Sequence, residues 1–150
     1  MNPIYKDIEE WRQRVSKPID GYQICPYARQ AKYHVFPNED YLSLQVKALN
    51  WVWDVDLLVC IPTDKFMTVE RAKYIEADCN RIATDTVVLL DHPKDPGYID
   101  GVYTGNGKHI VFLIQPKKEL ERARDHLHTT SYYDKWSKEY YEKITSRRYK

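Results

Sequence analysis

The chain has no long apolar run, no paired cysteine pattern and almost no net charge, and each shortage closes off a class of protein. No stretch approaches the roughly 18 consecutive apolar residues that a membrane-crossing helix needs. The opening residues, MNPIYKDIEEWRQRV, are charged throughout, where a secretory signal needs an apolar centre. Cys25, Cys60 and Cys79 form an odd set without C-x-x-C spacing, which argues against a disulfide framework or a cysteine-ligated zinc. A soluble protein of the reducing cytoplasm is therefore expected, with no membrane partner. Lys and Arg total 23 against 22 Asp and Glu, so a net charge of +1 exerts no general pull on nucleic acid.

Glycine is also scarce, and its placement is uneven. Four of the five glycines fall between Gly97 and Gly107, inside the stretch Asp91 to Lys108 that separates two apolar runs. With Pro93 and Pro96 added, the stretch is too long for an ordinary connection, and such loops tend to carry binding functions. It holds His92, Tyr98 and Tyr103, and ends at Lys108.

At 150 residues the chain suits one domain spanning 1–150, and no repeat, low-complexity tract or linker divides it. Ile4, Ile8, Trp11 and Val15 recur at helical spacing behind Asn2-Pro3, which predicts an opening helix to about Ser16. The residues after Pro26 read as a short helical turn and then a strand from Tyr33 to Phe36. Tyr41 to Trp53 fits either period; its length favours a helix facing inward through Leu42, Val46, Leu49 and Trp53. Asp56 to Ile61, Thr86 to Leu90 and His109 to Ile114 read as central strands. Between the first two lies a helix from about Val69 to Ala83, capped by Thr68, with Ala72, Ile75, Cys79 and Ile82 inward. Pro116 starts another helix, and Tyr132 to about Arg147 reads as a second.

This order predicts an α+β fold: a two-layer sandwich on a mixed sheet of about four strands, with a ferredoxin-like split β-α-β core and extra N- and C-terminal helices. A three-layer α/β sandwich is the alternative.

Cys25 stands directly before Pro26, and a thiol ahead of a proline-started helix meets unpaired amides and the positive end of the helix dipole. Arg29, one turn on, adds positive charge or an anion contact. The other reading packs Cys25 beside Ile24; Cys60 and Cys79 lie on apolar faces and read as core. His92 follows a central strand, at the sheet edge where α/β folds commonly hold ligands. Oriented by Asp91 or Asp95, it could activate Cys25; otherwise Asp91-His92-Pro93 builds a turn with the imidazole on backbone. His109 lacks a partner at metal-ligand spacing, so no metal is expected. Gly105-Asn106-Gly107-Lys108 departs from the phosphate-loop pattern and reads as a positive-φ turn joining Val102-Tyr103 to His109-Ile110-Val111 as a hairpin. Residues 116–150 hold ten Lys or Arg against six Asp or Glu, and Tyr133, Trp136, Tyr140 and Ile144 form a helical stripe. The stripe suits packing or a homodimer contact better than nucleic acid.

Trp11 and Val15, the CPYAR of Cys25 to Arg29, an apolar strand ending at Pro62, and Leu90-Asp91-His92-Pro93 followed by Asp95-Pro96 together resemble the bacterial family of unknown function 1415. That family pairs a CPFAR-like motif with a later FHP motif. The similarity spans roughly Trp11 to Arg124, and only the cysteine motif and the His-Pro pair are specific. The chain departs at Asp91, where the family has an aromatic, at TGNGKH, and in its aromatic C-terminal helix. The resemblance implies that Cys25 and His92 share one site.

The sequence thus leads to a cytoplasmic small-molecule-binding protein. In its catalytic form Cys25 is nucleophile or redox thiol and His92 the base. Arg29, Asp91, Tyr98, Tyr103 and Lys108 contact a small anionic ligand, and no cofactor can be named. The alternative is a non-catalytic module that self-associates through the aromatic C-terminal helix.

Overall fold

The apolar runs of the sequence become neighbouring strands of one mixed sheet. The structure, a computed structural model, describes residues 3–16, 18–19, 22–23, 31–95, 98–99, 102–103, 105–128 and 138–139. In chain order its elements are α1 (Pro3–Ser16), β1 (Pro18–Ile19), β2 (Tyr22–Gln23), β3 (Tyr33–Glu39), α2 (Tyr41–Leu49) and β4 (Leu57–Pro62). These are followed by α3 (Val69–Ile82), β5 (Thr86–Asp91), β6 (Tyr98–Ile99), β7 (Val102–Tyr103), β8 (Val111–Pro116) and α4 (Lys117–His128).

The four longer strands lie in the order β3-β4-β8-β5. β3 and β4 are parallel, while β8 runs antiparallel to both β4 and β5. The return strand β8 therefore sits between β4 and β5, which α3 connects. β3, β4 and β5 all point the same way, and their carboxyl ends share one edge. Pro37 lies in β3 where the pairing with β4 shifts register between Phe36 and Glu39. An edge strand tolerates a proline there, because no inner ladder bond is lost.

Alternate residues of β4 serve opposite faces. Leu58 and Cys60 pack with Leu44 and Ala48 of α2, Ala72, Ile75 and Cys79 of α3, and Phe112 of β8. Val59 and Ile61 pack with Val35, Val111 and Ile8 of α1. Burial on both sides explains why β4 is a continuous apolar run. Helices thus cover both faces, α2 and α3 on one and α1 on the other.

α2 is a helix, as expected, but it ends at Leu49, short of Trp53, and it turns a different row inward. Leu44 and Ala48 are buried, whereas Leu42, Val46 and Leu49 are 70%, 58% and 46% exposed. Two apolar rows compete on this helix. The small Ala48 lets the backbone come close enough for the Thr86 hydroxyl to donate to its carbonyl at 2.5 Å.

The hairpin expected between Val102 and Val111 is also corrected. β7 pairs with β6, Tyr98 opposite Tyr103 and Ile99 opposite Val102, and β8 pairs only inside the large sheet. The positive φ expected of this loop falls on Gly107, at 77°. The short helical turn after Pro26 and the helix from Tyr132 fall largely or wholly outside the described residues. No described helix is long and apolar enough to cross a membrane.

Candidate functional site

His92, at the carboxyl end of β5, is only 4% exposed. Its Nε2 meets the Met67 carbonyl at 2.8 Å, and the Lys94 amide donates to its Nδ1 at 3.1 Å. A carbonyl only accepts and an amide only donates, so the ring proton sits on Nε2 and both nitrogens are engaged. In this arrangement the imidazole braces a turn and has no ring position free to take a proton from a thiol.

Asp91 turns to a different partner. Its Oδ2 accepts from the Asn106 amide at 2.9 Å and from Asn106 Nδ2 at 2.5 Å. Burial raises its pKa, with the Asn106 bonds opposing the shift. Asn106 also accepts from the amides of Lys108 and His109, at 3.0 and 2.6 Å. The GNGK segment is therefore a turn organised by one asparagine. Lys108 Nζ lies 3.2 Å from Asp7, and His109 Nε2 lies 2.8 Å from the same carboxylate, so both bind α1 to the loop. These contacts, with His109 first, hold Asp7 below the usual carboxylate range.

Cys25 and Arg29 lie outside the described residues, and for Tyr98 and Tyr103 only the backbone pairing is described. Among the described residues no group of three or more His, Cys, Asp or Glu is placed to hold a metal ion.

A cavity of about 200 Å³ opens beside this edge, at the carboxyl ends of β3 and β4. Sequence reasoning missed its residues. Leu44, Met67, Ile75 and Phe112 form its apolar lining, and Glu39, Asp40, Tyr41, Asp64 and Arg71 supply the polar groups. The signal for it was the pair of strand-to-helix turns: β3 runs straight into α2, and β4 reaches α3 through a short loop, both at one edge.

Each turn is fixed by short polar contacts. Asp40 caps α2, accepting from the Ser43 amide at 2.8 Å, and those Ser43 bonds keep its carboxyl below the usual range. Thr68 caps α3 through the Arg71 amide at 3.1 Å. Asp64 accepts from the Phe66 amide at 3.0 Å. Lys65 Nζ donates to the carbonyls of Pro37 and Pro62, at 2.6 and 2.8 Å, tying the two strand ends together. Burial lowers the Lys65 pKa.

Three side chains complete the rim. Arg71 lies over the rings of Tyr41 and Tyr74, 5.3 and 5.5 Å from their centroids, and among the described residues no carboxylate pairs with it. The Tyr41 hydroxyl donates to Asp78, and burial together with that bond pushes it up to about 12. Glu39, with a side chain 9% exposed, faces Lys47 Nζ at 2.6 Å. The pair is a close ion contact, and Glu39 Oε2 itself is buried. Burial first, and then the Glu39 carboxylate, drive the Cys60 thiol well above its usual value.

No protein-family model, curated protein or solved structure matches the chain.

Proposed function

We propose that the chain is a small-molecule-binding protein whose ligand occupies the cavity at the carboxyl ends of β3 and β4. One observation carries the reading: an apolar cavity with a charged rim lies where two strand-to-helix turns meet. Ligand sites of open α/β sheets favour this edge, since loops and helix N-termini converge there. A volume of about 200 Å³ falls below the roughly 300–1,000 Å³ typical of sites for drug-sized molecules, so the ligand is a small metabolite.

The scaffold is read as a ferredoxin-like split β-α-β core, β4-α3-β5 with β8 between, in two layers with α2 and α3. β3 extends that sheet, and α1 is an addition on its far side. A cytoplasmic location belongs to the same reading. So does the likeness to the bacterial family of unknown function 1415, at Cys25 and His92. The catalytic form, with Cys25 as nucleophile, Arg29 as anion contact and His92 as base, requires Met67 or Lys94 to release one ring nitrogen.

The test is a backbone-amide spectrum titrated with small carboxylates, amines and alcohols. Shifts confined to residues around Leu44, Ile75 and Phe112, and their loss in Met67→Trp, which fills the cavity, are expected. A folded protein that gives no such shifts with any probe would rule the cavity out.

A second reading has its own observation. Leu42, Val46, Leu49 and Val52 form a row on and beyond α2 that is 46% to 75% exposed, an apolar patch suited to association between copies. The stripe of Tyr133, Trp136 and Tyr140 invoked for a homodimer lies outside the described residues.

A further inference from the structure

We infer that the cavity takes a small monocarboxylate with an apolar body, its carboxylate on Arg71 and its hydrocarbon part against Leu44, Ile75 and Phe112. The inference rests on the cavity reading and names the ligand's chemistry.

Four charged side chains line the cavity, three acidic and one basic, and the acidic ones are already engaged. Glu39 is largely buried and paired with Lys47 at 2.6 Å. Asp40 caps α2 through the Ser43 amide, at the helix end whose dipole offsets its charge. Asp64 accepts from the Phe66 amide within its own loop. The Tyr41 hydroxyl donates to Asp78, so this residue gives the cavity its ring rather than a donor.

Arg71 differs from all of these. Its guanidinium lies over two tyrosine rings, 5.3 and 5.5 Å from their centroids, and among the described residues it forms no ion pair. Contact with the rings restricts its rotamers before any ligand arrives, and its fork of N–H donors matches the two oxygens of a carboxylate. It stands in the first turn of α3, where the positive end of the helix dipole favours the same charge. Behind it the wall is apolar: the side chains of Leu44, Ile75 and Phe112 are buried and offer no hydrogen-bonding group. A cation without an ion pair beside such a wall fits a molecule with one negative end and a hydrocarbon body. A neutral ligand of the same shape gains nothing from the guanidinium, and an amine meets a like charge there. A dicarboxylate would press its second charge against the apolar wall.

Four probes separate charge from shape: 4-methylpentanoate, its neutral amide, 4-methylpentylamine and acetate, each titrated by calorimetry and by backbone-amide shifts. The methylpentanoate should bind about tenfold more tightly than each of the others, the effect of one charge-assisted contact or of the buried hydrocarbon. Arg71→Gln, at an exposed helix position, should leave the fold intact and lower methylpentanoate binding to the level of the amide, with the amide's own affinity unchanged. If the amide binds as well as the carboxylate, or if Arg71→Gln weakens the two alike, the carboxylate contact is wrong while the cavity reading stands. If the amine binds most tightly, Asp40 and Asp64 set the charge of the site and the inference is overturned. If acetate matches methylpentanoate, the apolar wall takes no part and the inference is again overturned. If no probe shifts the residues around the cavity, the cavity reading falls as well.

Discussion

Asn80, in the last turn of α3, pairs with the backbone of Val88 as a neighbouring strand would. Its Oδ1 accepts from the Val88 amide and its Nδ2 donates to the Val88 carbonyl, both at 2.8 Å. One turn earlier on the same helix, Glu76 Oε2 accepts from the Leu90 amide at 2.6 Å. β5 is the last strand of the sheet, and a strand in that position exposes unpaired backbone groups that invite a second chain. Here the crossover helix closes the edge with side chains spaced i, i+4.

Asn80→Ala should therefore cost about 3 kcal/mol, because two buried backbone groups lose their partners and each is worth roughly 1–3 kcal/mol when left unsatisfied. Denaturant unfolding measures the loss, and light scattering should show more association through the bared edge. A loss below about 0.5 kcal/mol, the range of ordinary surface changes, would mean that water replaces the asparagine without penalty.

The strands were readable for a physical reason: β4, β5 and β8 are buried on one or both faces, so their residues carry the signal whatever surrounds them. The inward row of α2 was not readable, since Leu42-Val46-Leu49 and Leu44-Ala48 both fit a helix and only the approach to Thr86 chooses between them. Two hairpins were missed despite a local sign. Asp20-Gly21 stands between β1 and β2, and Asp100-Gly101 between β6 and β7; this dipeptide is a strong two-residue hairpin signal. The cavity was hidden because Glu39 and Arg71 are far apart in sequence and belong to no motif. His92 was found by its position after a strand, but its partner Met67 depends on where the 62–68 loop lies, while Lys94 comes from its own turn.

Asp91 should make stability fall as pH rises. Its folded pKa is raised above 3.8 by burial, so its contribution is full below that value and is lost as pH climbs through the raised one. Asp91→Asn keeps an oxygen for Asn106 and carries no charge. The melting-temperature difference, variant minus parent, should grow in the variant's favour from about pH 3.8 upward. A flat difference would show that Asn106 compensates the buried charge. A difference of the opposite sign would show that the charged form is preferred.

The cysteines should separate by reactivity. Cys60 and Cys79 are fully buried; burial and the neighbouring Asp78 push the Cys79 thiol up to about 12, and Cys60 shifts in the same direction. Iodoacetamide near neutral pH should leave both unmodified in the folded protein and label Cys25, with peptide mass spectrometry as the readout. Labelling of Cys25 should follow a pKa below the free value of about 8.5 if the catalytic form holds. If Cys25 is as inert as the other two, the nucleophile role is lost and the binding role is untouched.

Charging the exposed row of α2 tests association without touching the core. Leu42→Lys together with Val46→Glu places polar groups at positions 70% and 58% exposed, so each change should alter stability by no more than about 0.5 kcal/mol. If copies meet through this row, the mass by light scattering should fall to that of one chain. A parent protein that is already monomeric at high concentration would exclude the row as a contact between copies.

Glu39 and Lys47 provide the most direct check on the rim of the cavity. Lys47 is itself largely covered, with its Nζ 4.4 Å from the centroid of the Phe36 ring, so neither partner is freely hydrated. Lys47→Met should keep the stem's packing and leave Glu39 as an uncompensated buried charge, at a cost of about 3–5 kcal/mol. Adding Glu39→Gln to Lys47→Met should recover much of that loss, because the stranded charge is gone. The double-mutant cycle then isolates the pair's coupling. A coupling near zero would mean that the close approach of Nζ to Oε2 contributes nothing to stability. A large coupling would mean that Lys47 neutralises the carboxylate and holds this corner of the rim in place.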